Sequence, residues 1–217
     1  MRFLITAGPT REPIDPVRYL SNRSSGKMGY AIAAAAIDAG HSVNLISGPV
    51  CLRPPPAAAV TSVSTSDEMF EAVHHNLKEC DILVMCAAVA DYRPSAVSKN
   101  KIKKQGKDFS LGLTATRDIL RSLPERERQF LVVGFAAETT DLHANARKKL
   151  QDKNCDIIVA NDVGSPESGM ESDENEVTIF FREGETKEIP RQSKQKLAHE
   201  LVNIFAKMCE KRLTKKL

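Results

Sequence analysis

Residues 8–29 read Gly8-Pro-Thr-Arg-Glu-Pro-Ile-Asp-Pro-Val-Arg-Tyr-Leu-Ser-Asn-Arg-Ser-Ser-Gly-Lys-Met-Gly29. The apolar run Phe3-Leu-Ile-Thr6 before them is typical of a first β-strand, and the alanine-rich segment 30–39 after them is typical of a helix that ends at Gly40. A strand, a polar Gly/Ser loop and a helix N-terminus can bind an anion through free backbone N–H groups and the helix macrodipole. Because such connections usually have only about 2–6 residues, this much longer one is predicted to be functional.

The bulk composition limits the classes of protein that the chain can belong to. With 217 residues, 41% of them hydrophobic and 27% charged, it fits one α/β domain over residues 1–217. A net charge of +3 and an aromatic content of 5% do not favour a nucleic-acid partner. No apolar run approaches the ~20 residues that cross a bilayer, and Met1-Arg2 leads straight into a strand with no signal peptide. We therefore expect a cytoplasmic protein with no membrane partner.

The cysteines point to the same compartment. Cys51, Cys80, Cys86, Cys155 and Cys209 are odd in number and show neither CxxC pairs nor zinc-ligand spacing. We interpret them as reduced thiols of a cytoplasmic protein. Cys86 follows a predicted strand, where a nucleophile could lie, but we expect a small buried residue there.

Strands and helices alternate along the chain. We predict strands at 2–6, 42–47, 60–65, 81–88, 130–137 and 156–160, and helices at 30–39, from Ser66 onward, and at 118–123, 142–153 and 193–212. An edge strand is predicted at 109–113, and a hairpin of 176–182 and 186–190 follows a loop at 163–175. This order indicates an α/β fold with three layers and a mostly parallel open sheet (Rossmann-like), extended by a small antiparallel hairpin.

Unusual polar segments follow four of the predicted parallel strands. They are residues 8–10, 88–93, 137–139 and 161–162. In open α/β sheets, ligands bind beyond the carboxyl ends of the strands, where the strand order reverses. The sequence therefore predicts one ligand site at this edge of the sheet.

Three motifs have both a functional and a structural interpretation. Ser24-Ser-Gly26-Lys-Met-Gly29 either binds a phosphate or carboxylate or only caps a closely packed helix. The basic run Lys99-Asn-Lys101-Ile-Lys-Lys104 is either a solvated face or part of a mobile flap, about residues 92–107, that closes over polyphosphate. Asp91 and Glu138 are either ligand contacts or structural caps. The GxGxxG and GxxxxGK[ST] fingerprints are absent.

Six motifs in order closely resemble those of the bacterial phosphopantothenoylcysteine synthetases, from residue 3 to about residue 194. They are Ile5-Thr-Ala-Gly-Pro-Thr-Arg-Glu-Pro-Ile-Asp-Pro-Val-Arg18, Ser21-Asn-Arg-Ser-Ser-Gly-Lys-Met-Gly29, Ala87-Ala-Val-Ala-Asp-Tyr-Arg93, Lys101-Ile-Lys-Lys104, Val133-Gly-Phe-Ala-Ala-Glu-Thr139 and Val159-Ala-Asn-Asp-Val163. In many bacteria this synthetase is the C-terminal half of a fusion with a flavin-dependent decarboxylase. Because strand one starts at residue 2 here, we expect a stand-alone synthetase without flavin, and a separate decarboxylase as a candidate partner.

The resemblance implies condensation of 4'-phosphopantothenate with L-cysteine, driven by CTP, in coenzyme A biosynthesis. The substrate carboxylate attacks the α-phosphate to give an acyl-cytidylate and pyrophosphate, and the cysteine amine then displaces CMP. Such a site must hold a substrate phosphate, a triphosphate and Mg²⁺, and must stabilise negative charge that develops at the α-phosphorus. The family also implies a homodimer, for which the exposed-looking hairpin at 176–190 is a candidate interface.

The family's functional residues carry over as follows. Asn22 would hold the reacting carboxylate, and Lys101 would stabilise the transition state. Arg18 would reach the phosphopantothenate, which in a dimer could be the one bound to the neighbouring subunit. The nucleotide site would comprise Gly8, Ser24, Gly26, Gly29, Ala87, Asp91, Lys101, Asp118, Ile119, Phe135, Lys149 and Lys153. The substrate site would comprise Arg18, Asn22, Ala88, Asp91 and Asn161. The resemblance assigns no metal ligands.

Two positions depart from the family pattern. This chain has Thr116-Arg-Asp-Ile119 where many members have Asn-Pro-Asp-Ile, which puts the contact at Arg117 in question. Gly169-Met170 replaces the usual Gly-Phe, a change we expect to affect only packing.

Other functions remain as alternatives. A Rossmann-type oxidoreductase that uses NAD(P) or flavin is disfavoured because the GxGxxG anchor is absent. A non-catalytic protein that binds phosphopantothenate or acyl carriers is disfavoured because Asn22 and Lys101 are intact. A nucleic-acid module is disfavoured because the basic run lacks interleaved aromatic residues. The pattern around Phe135 favours CTP over ATP.

Overall fold

The described part of the chain forms one large sheet with helices on both faces and two short antiparallel strand pairs. The computed structural model describes residues 1–104, 106, 108–124, 128–162 and 172–214. The strands are β1 (Arg2–Ala7), β2 (Arg11–Pro13), β3 (Tyr19–Ser21), β4 (Ser42–Ser47), β5 (Ala59–Ser62), β6 (Ile82–Met85), β7 (Tyr92–Pro94), β8 (Leu113–Ala115), β9 (Leu131–Glu138), β10 (Ile157–Asp162), β11 (Glu174–Phe181) and β12 (Thr186–Ser193). The helices are α1 (Lys27–Asp38), α2 (Ser66–Asn76), α3 (Leu142–Asp152) and α4 (Lys194–Thr214).

The sheet has the strand order β12-β11-β10-β9-β6-β1-β4-β5 in the described part of the chain. The strands from β10 to β5 are parallel to their neighbours, whereas β11 and β12 add an antiparallel edge. After β1 the chain builds outward to β4 and β5, and it then returns to place β6 on the other side of β1. The order therefore reverses between β1 and β6. The predicted α/β fold, with a mostly parallel sheet and an antiparallel extension, is confirmed.

Alternating residues of the central strands supply two hydrophobic cores, one on each face of the sheet. On one face, Phe3 and Ile5 belong to the core that includes Ile32 of α1 and Phe205 of α4. On the other face, Leu4 belongs to the core that includes α2 and α3. All four residues of β6 are buried, as expected for a strand that is covered on both faces. These two cores give the predicted three layers.

Three local predictions were wrong, two of them because a side chain accepts a hydrogen bond from a backbone N–H group three residues away. The predicted helix 118–123 is a set of turns in which Asp118 accepts a hydrogen bond from the backbone N of Arg121 at 3.1 Å. The predicted edge strand 109–113 lies at Leu113–Ala115 instead, where it pairs with Tyr92–Pro94. The helix predicted to be capped by Ser66 is capped by Thr65, which forms a capping box with Glu68.

Further boundaries differ from the prediction. Helix α1 begins at Lys27 rather than at residue 30, so its first turn lies inside the predicted ligand loop. That loop also contains the unpredicted hairpin β2–β3. Residues 163–171 of the predicted loop, with Gly169-Met170, lie outside the described residues. In the part of the chain that the structure describes, no helix combines the length and the apolar character needed to cross a membrane.

Candidate active site

The loops that follow β1 and β6 are joined into one unit at the point where the strand order reverses. The backbone N of Ala88 donates to the carbonyl of Gly8 at 2.9 Å, and the backbone N of Thr10 donates to the carbonyl of Ala88 at 3.2 Å. The hydroxyl of Thr10 also accepts a hydrogen bond from the backbone N of Ala90 at 3.0 Å. These bonds fix the floor of the predicted site, because they join the two loops that follow the neighbouring strands β1 and β6.

Three of the predicted site glycines bring the start of α1 onto the end of β1. A Cβ atom at Gly29 would lie 2.6 Å from the Cβ of Ala7, so only glycine allows this approach. Gly8 and Gly26 have φ values of 76° and 78°, in the left-handed region that favours glycine. The first turn of α1 therefore starts directly beside the end of β1, where the N-terminal end of a helix favours an anion.

A first cavity of about 270 Å³ lies between the start of α1 and the carboxyl ends of β6, β9 and β10. It is lined by Ser24, Ser25, Gly26, Lys27, Met28, Gly29, Cys86, Ala87, Ala88, Val89, Asp91, Phe135, Ala137, Lys149, Asn161, Asn175 and Lys194. Nine of the residues predicted for the site are therefore brought together: Ser24, Gly26, Gly29, Ala87, Ala88, Asp91, Phe135, Lys149 and Asn161.

A second cavity of about 400 Å³ adjoins the first. The two cavities share Ala87, Val89, Asp91, Phe135 and Lys149 as lining residues. The second one adds residues 115–121 and Lys153, and thereby includes the predicted residues Asp118 and Ile119. Together they form an elongated cleft along the carboxyl edge of the sheet.

Two lysines of the second cavity are held in place by acceptors. The ammonium group of Lys149 donates to the carbonyl of Phe135 at 3.0 Å, and that of Lys153 donates to the carboxylate of Asp118. Burial opposes the charged form of Asp118, but the hydrogen bond from Lys153 and that from the backbone of Arg121 outweigh it, so the pKa of Asp118 is lowered. Both lysines therefore have fixed positions in the lining of this cavity, where Lys153 and Asp118 form an ion pair.

The sequence did not reveal two contributors to the first cavity, Lys194 and Asn175. Lys194 is only 4% exposed and donates to the carbonyl of Ser172 at 2.5 Å. Burial and the nearby charge of Lys27 lower the pKa of Lys194. Lys194 lies at the start of α4 and Asn175 lies in β11, and no sequence motif marks either position as part of a site. Only the antiparallel edge of the sheet brings them to the cleft.

The residues predicted to be catalytic lie on the hairpin side of the cleft. The side-chain amide of Asn22 donates to the carbonyl of Ala88 at 3.0 Å, which places it beside the first cavity. Arg18 donates to Asp15 and to the carbonyl of Ile102, and Lys101 is exposed next to that residue. In the part of the chain that the structure describes, Asn22, Arg18 and Lys101 do not line either of the two cavities.

Arg117, which departs from the family pattern, is bound to α2. Its guanidinium donates to Asp67 at 2.9 Å and to Glu71 at 2.7 Å, and it stacks over the ring of Phe70 at 3.9 Å. These contacts hold the loop that presents Asp118. Arg117 thus has a structural explanation in this chain.

Potential metal ligands do not converge in the described residues. Among them, no group of three or more histidine, cysteine, aspartate or glutamate side chains could hold a metal ion. Asp91 and Asp118 line the second cavity as its two carboxylates.

Comparisons with known proteins identify the family. The model of the family described as "DNA/pantothenate metabolism flavoprotein C-terminal domain" matches residues 1–208. The chain belongs to this family. Its relatives in the family include the coenzyme A biosynthesis bifunctional protein CoaBC of Bacillus subtilis strain 168, which is 48% identical over 204 residues. CoaBC of Escherichia coli K12 is 45% identical over 207 residues.

The match covers only part of these relatives. It covers 94% of this chain but 50% of the Bacillus protein and 51% of the Escherichia protein, so the chain spans about half of their length. A solved structure, the C-terminal domain of CoaBC, has a TM-score of 0.82 and 42% identity, covering 97% of this chain and 96% of that one. A Cab2 mutant in complex with phosphopantothenate-cysteine has a TM-score of 0.81 at 17% identity, which shows the fold alone.

Proposed function

We propose that the chain is a ligase that joins 4'-phosphopantothenate and L-cysteine to 4'-phosphopantothenoyl-L-cysteine, consuming CTP and releasing CMP and pyrophosphate. The observation that carries the proposal is the elongated cleft with lysines at both of its ends. One end has the first turn of α1 with Lys27 and Lys194, and the other has Lys149 and Lys153. A ligase that binds a phosphorylated acid together with a triphosphate needs two such ends.

The proposed reaction has two displacement steps. A carboxylate oxygen of phosphopantothenate attacks the α-phosphorus of CTP, the bond to the bridging oxygen breaks, and pyrophosphate leaves. The amine of cysteine then attacks the acyl carbon, the bond to the CMP oxygen breaks, and the amine proton is lost to solvent. Lys101 would stabilise the negative charge at the α-phosphorus, and Asn22, which is oriented by its bond to Ala88, would hold the reacting carboxylate.

The cleft suggests how the two substrates divide it. Lys149, Lys153, Asp118 and Ile119 line the second cavity, where the nucleotide would bind. Asn161 and Ala88 line the first cavity, where the pantothenate arm would bind. Asp91 and Phe135 line both cavities and would lie at the junction. Gly26 and Gly29, which line the first cavity, would extend the nucleotide site there together with Gly8 and contact the triphosphate. The predicted flap at about 92–107, in which residues 105 and 107 lie outside the described residues, is proposed to close over the nucleotide.

Mg²⁺ is proposed to enter with the nucleotide. Mg²⁺ is usually bound through substrate phosphates, waters and only one or two carboxylates. Asp91 and Asp118 are the carboxylates at the proposed nucleotide cavity, so they would be the protein's contribution.

A homodimer and a cytoplasmic location complete the proposal. The support for a dimer comes from the hairpin side of the cleft, where Val17 is 60% exposed, Tyr92 is 58% exposed and Val97 is 54% exposed. The hairpin at 176–190 is a weaker candidate than the sequence indicated, because β11 lies inside the sheet between β10 and β12. A monomeric mass in sedimentation at micromolar concentration would contradict the dimer. A separate decarboxylase would supply the next step.

Isotope transfer tests the proposed chemistry directly. Phosphopantothenate labelled with ¹⁸O in its carboxylate is incubated with CTP, Mg²⁺ and cysteine, and the products are analysed by mass spectrometry. The acyl-cytidylate route places one ¹⁸O atom in CMP and none in pyrophosphate. Label in inorganic phosphate would instead show an acyl-phosphate route, and substrates that remain unconsumed after long incubation would refute the ligase. ATP in a parallel reaction tests the choice of nucleotide.

A further inference from the structure

Asp15 is the centre of a hydrogen-bonded cluster at the tip of the hairpin β2–β3. Its side chain is fully buried. It accepts hydrogen bonds from the backbone N of Val17 at 2.9 Å and of Arg18 at 2.8 Å, which close the turn. The guanidinium of Arg18 donates to its other oxygen at 3.1 and 2.5 Å and, as the largest cause, holds the pKa of this carboxyl well below its ordinary value.

The same cluster binds the backbone of Ile102. The backbone N of Ile102 donates to Asp15 Oδ2 at 3.1 Å, and its carbonyl accepts from Arg18 Nη2 at 2.9 Å. Four residues earlier, the backbone N of Ser98 donates to the carbonyl of Ile14 at 3.0 Å. The backbone on both sides of Lys101 is therefore bound to the hairpin.

These bonds matter because residues 98–104 belong to no helix or strand of the described chain. Four lysines within six residues, 99–104, also repel one another, so the segment has little local stability of its own. The hairpin to which it is bound continues through β3 into Asn22, which contacts the wall of the first cavity. The cluster thus connects the position of Lys101 to the wall of the cleft.

We propose that Asp15 is a positioning residue that, through Arg18 and Ile102, sets the place of Lys101 relative to the reacting atoms. This inference rests on the proposed ligase function. It also gives Arg18 a second role besides the expected substrate contact, because its guanidinium holds the segment that carries Lys101. The side chain of Asp15 is fully buried and therefore offers no surface to a substrate.

The variant Asp15→Asn separates this role from folding of the turn. Its side-chain oxygen can still accept from Val17 and Arg18 backbone N–H groups. Its NH₂ group then stands where Oδ2 accepted from Arg18 and Ile102, so donors face donors and the segment is released. Asp38→Asn, at the far end of α1, is the matched control. Arg18→Lys keeps the charge but loses the two-pronged contact, and it provides a second variant if Asp15→Asn does not fold.

The test is a double-mutant cycle on steady-state kinetics. We expect Asp15→Asn to lower kcat about 10- to 100-fold with a smaller change in KM, because misplacing a reacting group by about 1 Å can cost 10²-fold. In the Lys101→Gln background the same change is expected to lower kcat less than about twofold, since the group that it positions is gone. An undiminished kcat in Asp15→Asn, or a full-size effect in both backgrounds, would overturn the proposal.

Limited trypsin digestion provides a readout that does not depend on the ligase activity. Cleavage after the lysines of 99–104 in the unliganded protein is expected to be about tenfold faster in Asp15→Asn than in wild type and Asp38→Asn, in buffer in which urea titration shows all three proteins to be folded. Equal cleavage rates would overturn the anchoring. If the wild-type protein has no ligase activity but Asp15→Asn is cleaved faster, the proposed function fails while the anchoring stands.

Discussion

The contact between Gly29 and Ala7 offers a prediction whose size follows from the structure. A Cβ atom added at Gly29 would lie 2.6 Å from Ala7 Cβ and 3.2 Å from both Ala7 Cα and the carbonyl oxygen of Thr6. Ordinary contacts between carbon atoms are about 3.5–4.0 Å. Because two of the three neighbours are backbone atoms, the added methyl group must displace α1 from β1.

The expected net effect on stability is moderate. Overpacking of this kind costs about 1–3 kcal/mol, and the better helix propensity of alanine returns up to about 1 kcal/mol. Gly29→Ala is therefore expected to lower the free energy of unfolding by about 1–2 kcal/mol. Since α1 begins beside the first cavity, its displacement should also raise KM for the phosphorylated substrate.

Urea unfolding of four proteins isolates the contact. They are the wild type, Gly29→Ala, Ala7→Gly and the double variant. Ala7→Gly removes the methyl group that Gly29→Ala would strike, so the two changes should be coupled favourably by about 1–2 kcal/mol. Gly40→Ala, just beyond the C-terminal end of α1, is the control for the coupling: its φ of 79° disfavours alanine, but no atom lies within 4 Å of the added Cβ, so its effect should be additive with that of Ala7→Gly. A Gly29→Ala protein as stable and as active as the wild type, or strict additivity in the cycle, would refute this reasoning.

Three further predictions concern other parts of the chain. Thr65→Ala removes the capping box of α2 and should lower the free energy of unfolding by about 1 kcal/mol in urea titrations; an unchanged midpoint would show that the cap is unimportant. Burial raises the pKa of Cys80 and of Cys155 to about 12, so a thiol reagent at about pH 8 should label the exposed Cys51 before either of them. Peptide mapping that finds Cys80 or Cys155 labelled as fast as Cys51 would contradict this. Because the pKa of Asp118 is lowered, its ionised form stabilises the fold at pH values above the ordinary pKa of a carboxyl group, and this stabilisation is lost as the pH falls through the lowered pKa. Asp118→Asn should therefore be less stable than the wild type near neutral pH and comparable to it in strong acid. A stability difference that does not change with pH would refute the link.

The parallel strands could be predicted because each is an almost continuous apolar run. Ile82–Met85 and Leu131–Gly134 are buried on both faces, and such burial leaves an unbroken hydrophobic signature. The hairpins β2–β3 and β7–β8 have strands of only three residues, which is too short to show a period of two. Their pairing is determined by turn bonds and by neighbouring loops.

The candidate site was predictable where a local motif fixes the backbone. Gly26 and Gly29 could be predicted as site residues because they stand where a Gly/Ser-rich loop leads into a helix, and both line the first cavity. Lys194 reaches that cavity only through the packing of the sheet edge, which the sequence does not show. The role of Asp15 in the turn could have been predicted, because aspartate side chains often accept hydrogen bonds from backbone N–H groups two or three residues later, as Asp15 does from Val17 and Arg18.

The most direct measurement is pyrophosphate release by the purified protein with Mg²⁺, 4'-phosphopantothenate and either CTP or ATP, with and without L-cysteine. Lys101→Gln and Asn22→Asp serve as controls. We predict release that requires CTP and phosphopantothenate, turns over continuously only when cysteine is present, and is strongly reduced in both variants. Folded wild-type protein that releases no pyrophosphate with either nucleotide would contradict the proposed ligase and would favour a protein that only binds phosphopantothenate.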